Sequence, residues 1–130
     1  MTPEKADAAS LGVVAGVVGA FGVAAGAFGA HALKGRLDAG ALATFETAVR
    51  YHVLHSLAAA LAADRAGHSA GPHAGRAAAS FLAGVVLFSG SLYGLALGSP
   101  RLVGAITPLG GLAFILGWVL LAVSFRATER

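Results

Sequence analysis

The sequence predicts an all-α integral membrane protein, a bundle of four transmembrane helices joined by short loops. Hydrophobic residues make up 57% of the chain, charged residues only 12%, and the mean hydropathy is +0.78. Three stretches without a charged residue cover positions 8–33, 77–100 and 102–125. Each exceeds the roughly 20 residues that a helix needs to cross a bilayer. These features exclude a water-soluble domain and a disordered chain.

We expect a single membrane domain over residues 1–130, with spans at about 10–33, 41–63, 77–97 and 101–125. The first 30 residues superficially match a signal peptide, because a cation precedes an apolar stretch. However, the uncharged run of 26 residues exceeds the apolar segment of about 7–15 residues that is usual in a signal peptide. We therefore interpret this run as a retained transmembrane helix.

Small residues in the first span follow a repeat of seven. They form two neighbouring rows on the helix surface, Gly12, Gly19 and Gly26 in one and Ala15, Gly22 and Gly29 in the other. Helices in a bilayer associate through close packing, so this face is predicted to contact another helix. Phe21 and Phe28 lie on the opposite face of the helical wheel. The span is predicted to end at Lys34-Gly35-Arg36, where two charges flank a helix-breaking glycine.

The second span is the least hydrophobic. Its uncharged part, Tyr51–Ala63, has 13 residues, about 20 Å of helix, which is too short to cross a bilayer. The helix must therefore begin upstream, and Asp38 is a suitable N-cap. It then includes Glu46 and Arg50, whose spacing of four predicts an ion pair on one helix face. Such a pair either neutralises two charges near the membrane surface or has a functional role.

Glycine and proline mark the second half of the chain. Residues 67–75 are predicted to form a loop. Span 3 contains a row of small residues spaced by four, Gly90, Gly94 and Gly98. This spacing predicts close contact with another helix. In span 4, Thr107, Pro108 and Gly110 predict a helix break, because Pro108 either kinks the helix or lets it begin anew with Thr107 as its cap. The irregular backbone makes this segment a candidate cavity wall.

A few polar residues inside the predicted spans are the candidates for chemistry. We expect one cluster built from the end of span 1, the start of span 2 and the middle of span 3, comprising His31, Glu46, Arg50, Tyr51, His55, Ser89 and Tyr93. Histidines in a bundle hydrogen-bond across helices, relay protons or bind a metal ion. The sequence contains no metal or cofactor motif, so we predict neither. Trp118 is predicted to face lipid or the membrane interface.

Charge and cysteine usage exclude further classes of protein and predict an orientation. The nine Lys and Arg residues form no basic face, which excludes nucleic-acid binding, and without cysteine there is no disulfide or thiolate site. Five basic residues flank the membrane side that holds both termini, namely Lys5, Arg65, Arg76, Arg126 and Arg130. Lys34, Arg36 and Arg101 flank the other side. This bias predicts that both termini are cytoplasmic.

Four blocks of the sequence together resemble a known family. The blocks are GAFGAHAL (26–33), FETAVRYHVLHSLAAAL (45–61), LFSGSLY (87–93) and GAITPLGG (104–111). In this order they resemble the small membrane proteins grouped as domain of unknown function 423, with eukaryotic relatives called transmembrane protein 256. The resemblance implies a multi-pass membrane protein, in bacteria of the inner membrane, without an established activity. Its pattern marks Gly29, His31, Tyr51, His55, Ser89, Tyr93, Thr107, Pro108 and Gly110. Many bacterial members have glutamine where this chain has His52, so the resemblance assigns no role to that imidazole.

The sequence leaves three classes of function open, of which the third is a membrane enzyme or metal carrier that uses His31, His52 and His55. We expect a small four-span membrane protein, located in the bacterial plasma membrane, that is not an enzyme and has a structural or interaction role. Its expected partners are the lipid bilayer and either further copies of itself or another membrane protein. The alternative is an oligomeric small channel or proton-coupled transporter that uses intramembrane histidines such as His31 and His55.

Overall fold

The structure, a computed structural model, describes residues 1–68 and 71–127. Five α-helical segments are α1 (Pro3–Phe28), α2 (Ala39–Gly67), α3 (Gly71–Gly84), α4 (Gly90–Ala96) and α5 (Thr107–Ala127). One π-helical turn, Gly29–Leu33, extends α1, and a second, Val85–Ser89, joins α3 to α4 in a continuous rod. A 3-10 helix, Arg101–Ala105, precedes α5. Helix α2 packs against α1 and against the α3–α4 rod, and α5 packs against α3, so α2 lies at the centre of the bundle.

Local sequence signals set both ends of α1. The side-chain oxygen of Thr2 accepts a hydrogen bond from the backbone N–H of Lys5 at 3.3 Å, and Pro3 occupies the first turn. Beyond the π-helical turn the chain reverses at Gly35, whose φ of +89° is a conformation that favours glycine. The predicted end of the first span at Lys34-Gly35-Arg36 is therefore confirmed.

The small-residue face of α1 packs against α2, as the repeat of seven predicts. A Cβ atom added at Gly19, Gly22 or Gly26 would lie 3.6, 2.9 or 3.2 Å from a side chain of α2. Phe21 and Phe28, on the opposite face, are 67% and 51% exposed. The absence of side chains on one face thus brings the two helices together, while the aromatic residues face outward.

Helix α2 begins at the predicted cap and has two different faces. Asp38 accepts a hydrogen bond from the backbone N–H of Ala41 at 2.8 Å, which confirms it as the N-cap. The buried face consists largely of alanine but includes three polar residues, His52, His55 and Ser56. The outer face carries exposed aliphatic residues, Val53, Leu54, Leu57 and Leu61. Between His52 and Leu61, the polar side chains of α2 therefore face the protein and the large aliphatic ones face its surroundings.

The connection between α2 and α3 is shorter than predicted. Helix α2 ends at Gly67 and α3 begins at Gly71, so residues 71–75 are helical and the prediction of a loop there is wrong. Pro72 lies in the first turn of α3, where its missing N–H costs no helical hydrogen bond. The rest of the predicted loop includes Ser69 and Ala70, which lie outside the described residues, as does Arg130 from the charge count.

The glycines spaced by four in span 3 have three different environments. A Cβ atom added at Gly90 would have no neighbour within 4 Å, and one at Gly94 would be 3.1 Å from Ser99 Oγ and 3.6 Å from Val103 Cγ1 in the following 3-10 helix. Gly98 ends the rod with a φ of +99°. The predicted close contact with another helix is therefore present at Gly94 and absent at Gly90, because spacing along one helix does not reveal which neighbour each glycine has.

Helices α3 and α5 are held together by phenylalanine rings that lie on glycines of the opposite helix. The ring of Phe81 lies on Gly117, where an added Cβ atom would be 2.6 Å from it. The ring of Phe114 lies on Gly84 in the reciprocal arrangement. Both rings are almost fully buried, at 0% and 4% exposure. Each glycine therefore forms a socket for a large apolar side chain.

Three helices among the described residues are long and apolar enough to cross a membrane. They are Pro3–Leu33, Gly71–Ala96 and Arg101–Arg126. Helix α2 has 29 residues but does not meet the same criterion. Charged and polar side chains such as Arg50, His52 and His55 lower its hydropathy. The expected all-helical architecture with four main helices is confirmed, and three of the four predicted spans are supported by length and composition.

Candidate functional site

The buried polar side chains of the bundle lie mostly where α2 meets its neighbours. His52, His55 and Ser56 of α2 are buried, and so are Ser89 and Ser91 of the α3–α4 rod. Because a buried polar group without a partner costs free energy, the hydrogen bonds of these residues indicate what the site is built to do.

His52 joins three helices. Its Nε2 atom lies 2.8 Å from the carbonyl oxygen of Val18 in α1, and its Nδ1 atom lies 2.8 Å from the hydroxyl of Tyr93 in α4. A carbonyl oxygen only accepts, so Nε2 donates to Val18, while Nδ1 and the Tyr93 hydroxyl share the second hydrogen bond. The imidazole therefore uses both nitrogens, and a single side chain links α1, α2 and α4.

The small-residue face of α1 makes this contact accessible. The imidazole of His52 lies beside Gly22, one turn after Val18, and a Cβ atom added at Gly22 would be 3.1 Å from His52 Cδ2. With no side chain at Gly22, the ring reaches the second lone pair of the Val18 carbonyl. The glycine row thus lets the backbones of α1 and α2 come close together, and it also gives His52 access to the Val18 carbonyl oxygen.

His55 belongs to a separate, aromatic part of the interior. Its Nδ1 atom donates to the carbonyl of Tyr51 at 2.8 Å, one turn earlier in α2, and its Nε2 atom accepts from Trp118 Nε1 at 3.2 Å. The ring stacks on Phe114 with centroids 3.6 Å apart and an interplanar angle of 13°. Trp118 also packs edge-on against Phe81, with centroids 5.1 Å apart. His55 is therefore a neutral ring held between α2 and α5.

Hydroxyl groups supply the remaining links between helices. Ser89 donates to the carbonyl of Ala48 at 2.8 Å and joins the second π-helical turn to α2. Ser80 donates to the carbonyl of Ala113 at 2.6 Å and joins α3 to α5. At the other end of α2, Arg65 donates to Ser124 of α5. Bonds of this kind between membrane helices contribute about 0.6–2 kcal/mol each.

The predicted helix break is present, and it packs against the second π-helical turn. Of the two sequence-based alternatives, α5 begins anew at Thr107 with Pro108 in its first turn. The Thr107 and Ser91 hydroxyls are 2.6 Å apart, and a Cβ atom added at Gly110 would collide with the backbone of Phe88. Thr107 and Gly110 are thus packing positions, whereas the two cavities described below lie elsewhere in the bundle.

Three members of the predicted polar cluster do not join it. Glu46 and Arg50 are exposed, and among the described residues no ion pair within 4.0 Å connects them. Phe45 and Ala48 occupy the buried face at this level, so the two charged side chains face outward, where ordering a pair gains little. His31 is exposed in the first π-helical turn and has no described contact with His55. The expected ion pair and the expected link from the end of span 1 are therefore wrong.

Of the other members, His55 and Ser89 are buried, Tyr93 is partly buried and Tyr51 is 38% exposed. Their partners differ from those that the sequence suggests. Tyr93 bonds to His52, which the predicted cluster left out, and Tyr51 stacks on His55 with centroids 5.6 Å apart. Trp118 is 44% exposed, so the predicted outward-facing position is partly right, yet its N–H points to His55. The one available signal was the spacing of His52 and His55, which places both on neighbouring faces of α2.

The two buried histidines, His52 and His55, have protein partners at every ring nitrogen. Among residues 1–68 and 71–127, no three His, Cys, Asp or Glu side chains lie close enough together to hold an ion. The chemistry available to these rings is therefore hydrogen bonding between helices.

Comparisons with known proteins identify relatives along most of the chain. The YwdK protein of Bacillus subtilis (strain 168), named a UPF0382 membrane protein, is 40% identical over 114 residues, which cover 86% of this chain and 93% of YwdK. SH2409 of Staphylococcus haemolyticus, also a UPF0382 membrane protein, is 44% identical over 78% of this chain and 83% of its own. The UPF0382 inner membrane protein YgdD of Escherichia coli K12 is 37% identical over 91% and 90%. No solved structure matches.

The family model that matches is described as a protein of unknown function, DUF423, and it covers residues 25–111. This range extends from the last turns of α1 to the first turn of α5 and contains His52, His55 and Tyr93. The relatives are named membrane proteins, in agreement with the apolar helices and their exposed aliphatic faces. The chain therefore belongs to the DUF423 family of multi-pass membrane proteins.

Proposed function

We propose that this protein is a four-span inner-membrane bundle with a structural or interaction role and no catalytic activity. One observation carries the proposal: each of the two buried histidines uses both ring nitrogens in hydrogen bonds to protein atoms, and each joins different helices. Such rings hold a bundle in one arrangement. An enzyme or a proton pathway instead needs a polar group that is open to a substrate or to water.

The burial pattern of α2 supports a fourth span. Its hydropathy is low because His52 and His55 are polar, but both are buried against other helices. Between His52 and Leu61 the large side chains that α2 turns outward, such as Leu54, Leu57 and Leu61, are apolar. Its exposed charged residues, Glu46, Arg50 and Asp64, lie closer to the two ends of the helix. A central helix between membrane-spanning neighbours needs apolar residues only on the face that lipid touches. We therefore propose that α2 crosses the membrane and that both termini lie in the cytoplasm, on the side with more basic residues.

Single cysteines test this topology, because the chain has none of its own. We propose Glu4→Cys, Arg36→Cys, His68→Cys, Ser99→Cys and Arg126→Cys. In whole cells an impermeant maleimide is expected to label positions 36 and 99 only. In inverted membranes it is expected to label positions 4, 68 and 126. Labelling of positions 36 and 68 from the same side would show that α2 does not cross.

Proton flux separates the structural role from the transporter alternative. Protein in vesicles with an internal pH dye is expected to conduct no more than empty vesicles. His55→Ala is expected to lower the resistance to unfolding in sodium dodecyl sulfate without changing flux. His31→Ala, at an exposed position, serves as the matched control and is expected to change neither. Flux that His55→Ala abolishes would contradict the structural role.

The interaction part of the proposal concerns other copies of the chain or another membrane protein. The exposed surface is rich in large apolar residues on α1, α2 and α5. Chemical cross-linking in native membranes, followed by native mass spectrometry in detergent, is expected to give an oligomer or a defined complex. A strictly monomeric protein without a cross-linked partner would contradict this part and leave the fold unaffected.

A further inference from the structure

Two neighbouring cavities lie at the end of the bundle where α1 begins, α2 ends and α3 begins. Their volumes are about 350 and about 570 Å³. The larger one, named the terminal cavity here, lies between the first turns of α1 and α3, and its volume falls within the range of about 300–1,000 Å³ typical of ligand sites. It is open because its walls are small residues, Ala8, Ala66, Gly67, Gly71, Gly75 and Ala79.

Charged side chains of both signs line the terminal cavity. Two are basic and two are acidic: Lys5, Arg76, Glu4 and Asp7. Among the described residues, none of these four forms an ion pair within 4.0 Å. The lining therefore presents two cations and two carboxylates, with a net charge near zero, to whatever occupies the cavity.

The terminal cavity lies at the level where hydrocarbon meets the lipid headgroups. Asp7 and Arg76 are the last charged residues before the uncharged runs of α1 and α3. Leu11 and Ala79, which also line the cavity, lie within those runs. One end of the cavity is consequently charged and the other apolar, which is the polarity of a phospholipid at the membrane surface.

We propose that the terminal cavity binds a zwitterionic phospholipid. The phosphate lies against Lys5 and Arg76, the ammonium group lies against Glu4 and Asp7, and an acyl chain extends along Leu11 and Ala79. Lysine and arginine are the usual partners of phosphate, and an ammonium group donates to carboxylates. The two carboxylates disfavour an anionic lipid such as phosphatidylglycerol, because its headgroup has no ammonium group to offset their negative charge. This proposal is independent of the structural role and of which leaflet the cavity faces.

Native mass spectrometry of the intact protein tests the choice of lipid. Protein in detergent is incubated with an equimolar mixture of phosphatidylethanolamine and phosphatidylglycerol and then activated by collision. One phosphatidylethanolamine per protein is expected to remain bound. Its retention is expected to exceed that of phosphatidylglycerol at least about tenfold, because one additional charge-assisted contact contributes a free energy of that size. Equal retention of the two lipids, or retention of neither, would overturn the proposal.

A steric variant with a matched control tests the position. Ala79 is exposed and lines the cavity, whereas Ala83, one turn later in α3, is exposed and does not. Ala79→Phe is expected to abolish lipid retention, and Ala83→Phe is expected to retain lipid as the wild type does. Fluorescence of the single tryptophan, Trp118, reports whether each variant is folded. A folded Ala79→Phe protein that retains phosphatidylethanolamine normally would refute the assigned cavity.

Charge variants test the two halves of the headgroup separately. Lys5→Gln with Arg76→Gln is expected to reduce retention of both lipids about tenfold, because the phosphate loses its partners. Glu4→Gln with Asp7→Asn is expected to reverse the preference toward phosphatidylglycerol. Lys34→Gln with Arg101→Gln, at the other end of the bundle, is the control and is expected to change nothing. An unchanged preference in the Glu4 and Asp7 variant would eliminate recognition of the ammonium group.

Discussion

The α1–α2 and α3–α5 contacts both depend on glycine, but they use it differently. In α1 a continuous row that includes Gly19, Gly22 and Gly26 faces α2, and side chains such as Val53 lie along it. Between α3 and α5, single glycines accept whole phenylalanine rings, Phe81 on Gly117 and Phe114 on Gly84. The first contact is a row of close approaches with one polar link through His52 and one socket, at Gly29, for the Phe45 ring; the second consists of sockets filled by rings.

This difference decides how each contact responds to an added methyl group. A row of glycines meets the ends of side chains, which rotate or shift at low cost. A methyl group added in a socket meets a ring that is buried on every side. A methyl group added at the start of α5 meets backbone atoms, which cannot rotate away. We therefore expect small substitutions to damage the α5 side of the bundle more than the α1 side.

The largest effect is expected for Gly110→Ala. The new Cβ atom would collide with the backbone N and Cα atoms of Phe88, so α5 would have to separate from the second π-helical turn. We expect a destabilisation of about 3 kcal/mol or more, at the upper end of overpacking effects. Unfolding in sodium dodecyl sulfate, followed by Trp118 fluorescence, measures it.

The neighbouring glycine is the control for that substitution. At Gly111 an added Cβ atom would be 3.9 Å from the Phe88 ring, an ordinary contact distance. Gly111→Ala is therefore expected to leave the unfolding midpoint almost unchanged. Equal effects at the two positions would show that the close approach at Gly110 does not determine stability.

The next effect is expected for Gly117→Ala, because the added methyl group would meet the Phe81 ring. Overpacking of this kind costs about 1–3 kcal/mol, and the smaller side chain in Phe81→Leu is expected to recover part of the loss in the double variant. Unfolding midpoints of the two single variants and the double variant measure the coupling. Strictly additive effects would contradict the socket.

A smaller effect is expected at the polar link between α1, α2 and α4. His52→Leu leaves the Tyr93 hydroxyl without its partner and is expected to destabilise the protein by about 1–2 kcal/mol. His52→Gln, whose amide both donates and accepts, is expected to lose less. The measurement is the free energy of unfolding in the wild-type and Tyr93→Phe backgrounds. If His52→Leu left the free energy of unfolding unchanged in both backgrounds, this link would have no structural role.

The smallest effect is expected on the glycine row of α1. At Gly22 an added Cβ atom would lie 2.9 Å from Val53 Cγ2 and 3.1 Å from His52 Cδ2. Val53 is 38% exposed and has room to shift, so Gly22→Ala is expected to cost about 1 kcal/mol, the lower end of overpacking effects. At Gly19 the nearest atom would be 3.6 Å away, and Gly19→Ala is expected to cost nothing measurable. If Gly22→Ala lowered the free energy of unfolding more than Gly117→Ala does, the α1–α2 contact would be the less tolerant of the two, contrary to our expectation.

The same comparison shows which parts of the fold could be predicted. The repeat of seven identified the α1 face because every residue of that face lies on one helix. Gly90, Gly94 and Gly98 also lie on one helix face, but only Gly94 approaches another helix and Gly98 forms a turn, whereas the sockets at Gly84 and Gly117 follow no single-helix spacing. Phe81 and Gly117 are 36 residues apart and Gly84 and Phe114 are 30 apart, so these pairs become visible only when α3 and α5 are placed together.

The candidate site could be predicted in part for the same reason. Ser89, Tyr93 and His55 were expected inside the bundle, since a polar residue within an apolar helix needs a buried partner. The identity of each partner depends on the rotation of two helices about their axes. That rotation brings Tyr93 to His52 and Trp118 to His55, and it turns Glu46 and Arg50 outward.

The sequence by itself determined the membrane class, the helical content, the N-cap at Asp38 and the glycine turn at Gly35. Each of these depends on composition or on contacts within a few residues along the chain. Only the tertiary structure decided which helix lies at the centre, which histidine bonds to which partner, and where a charged cavity opens. These properties arise from atoms far apart in sequence, and small changes in helix rotation and separation determine whether such atoms meet.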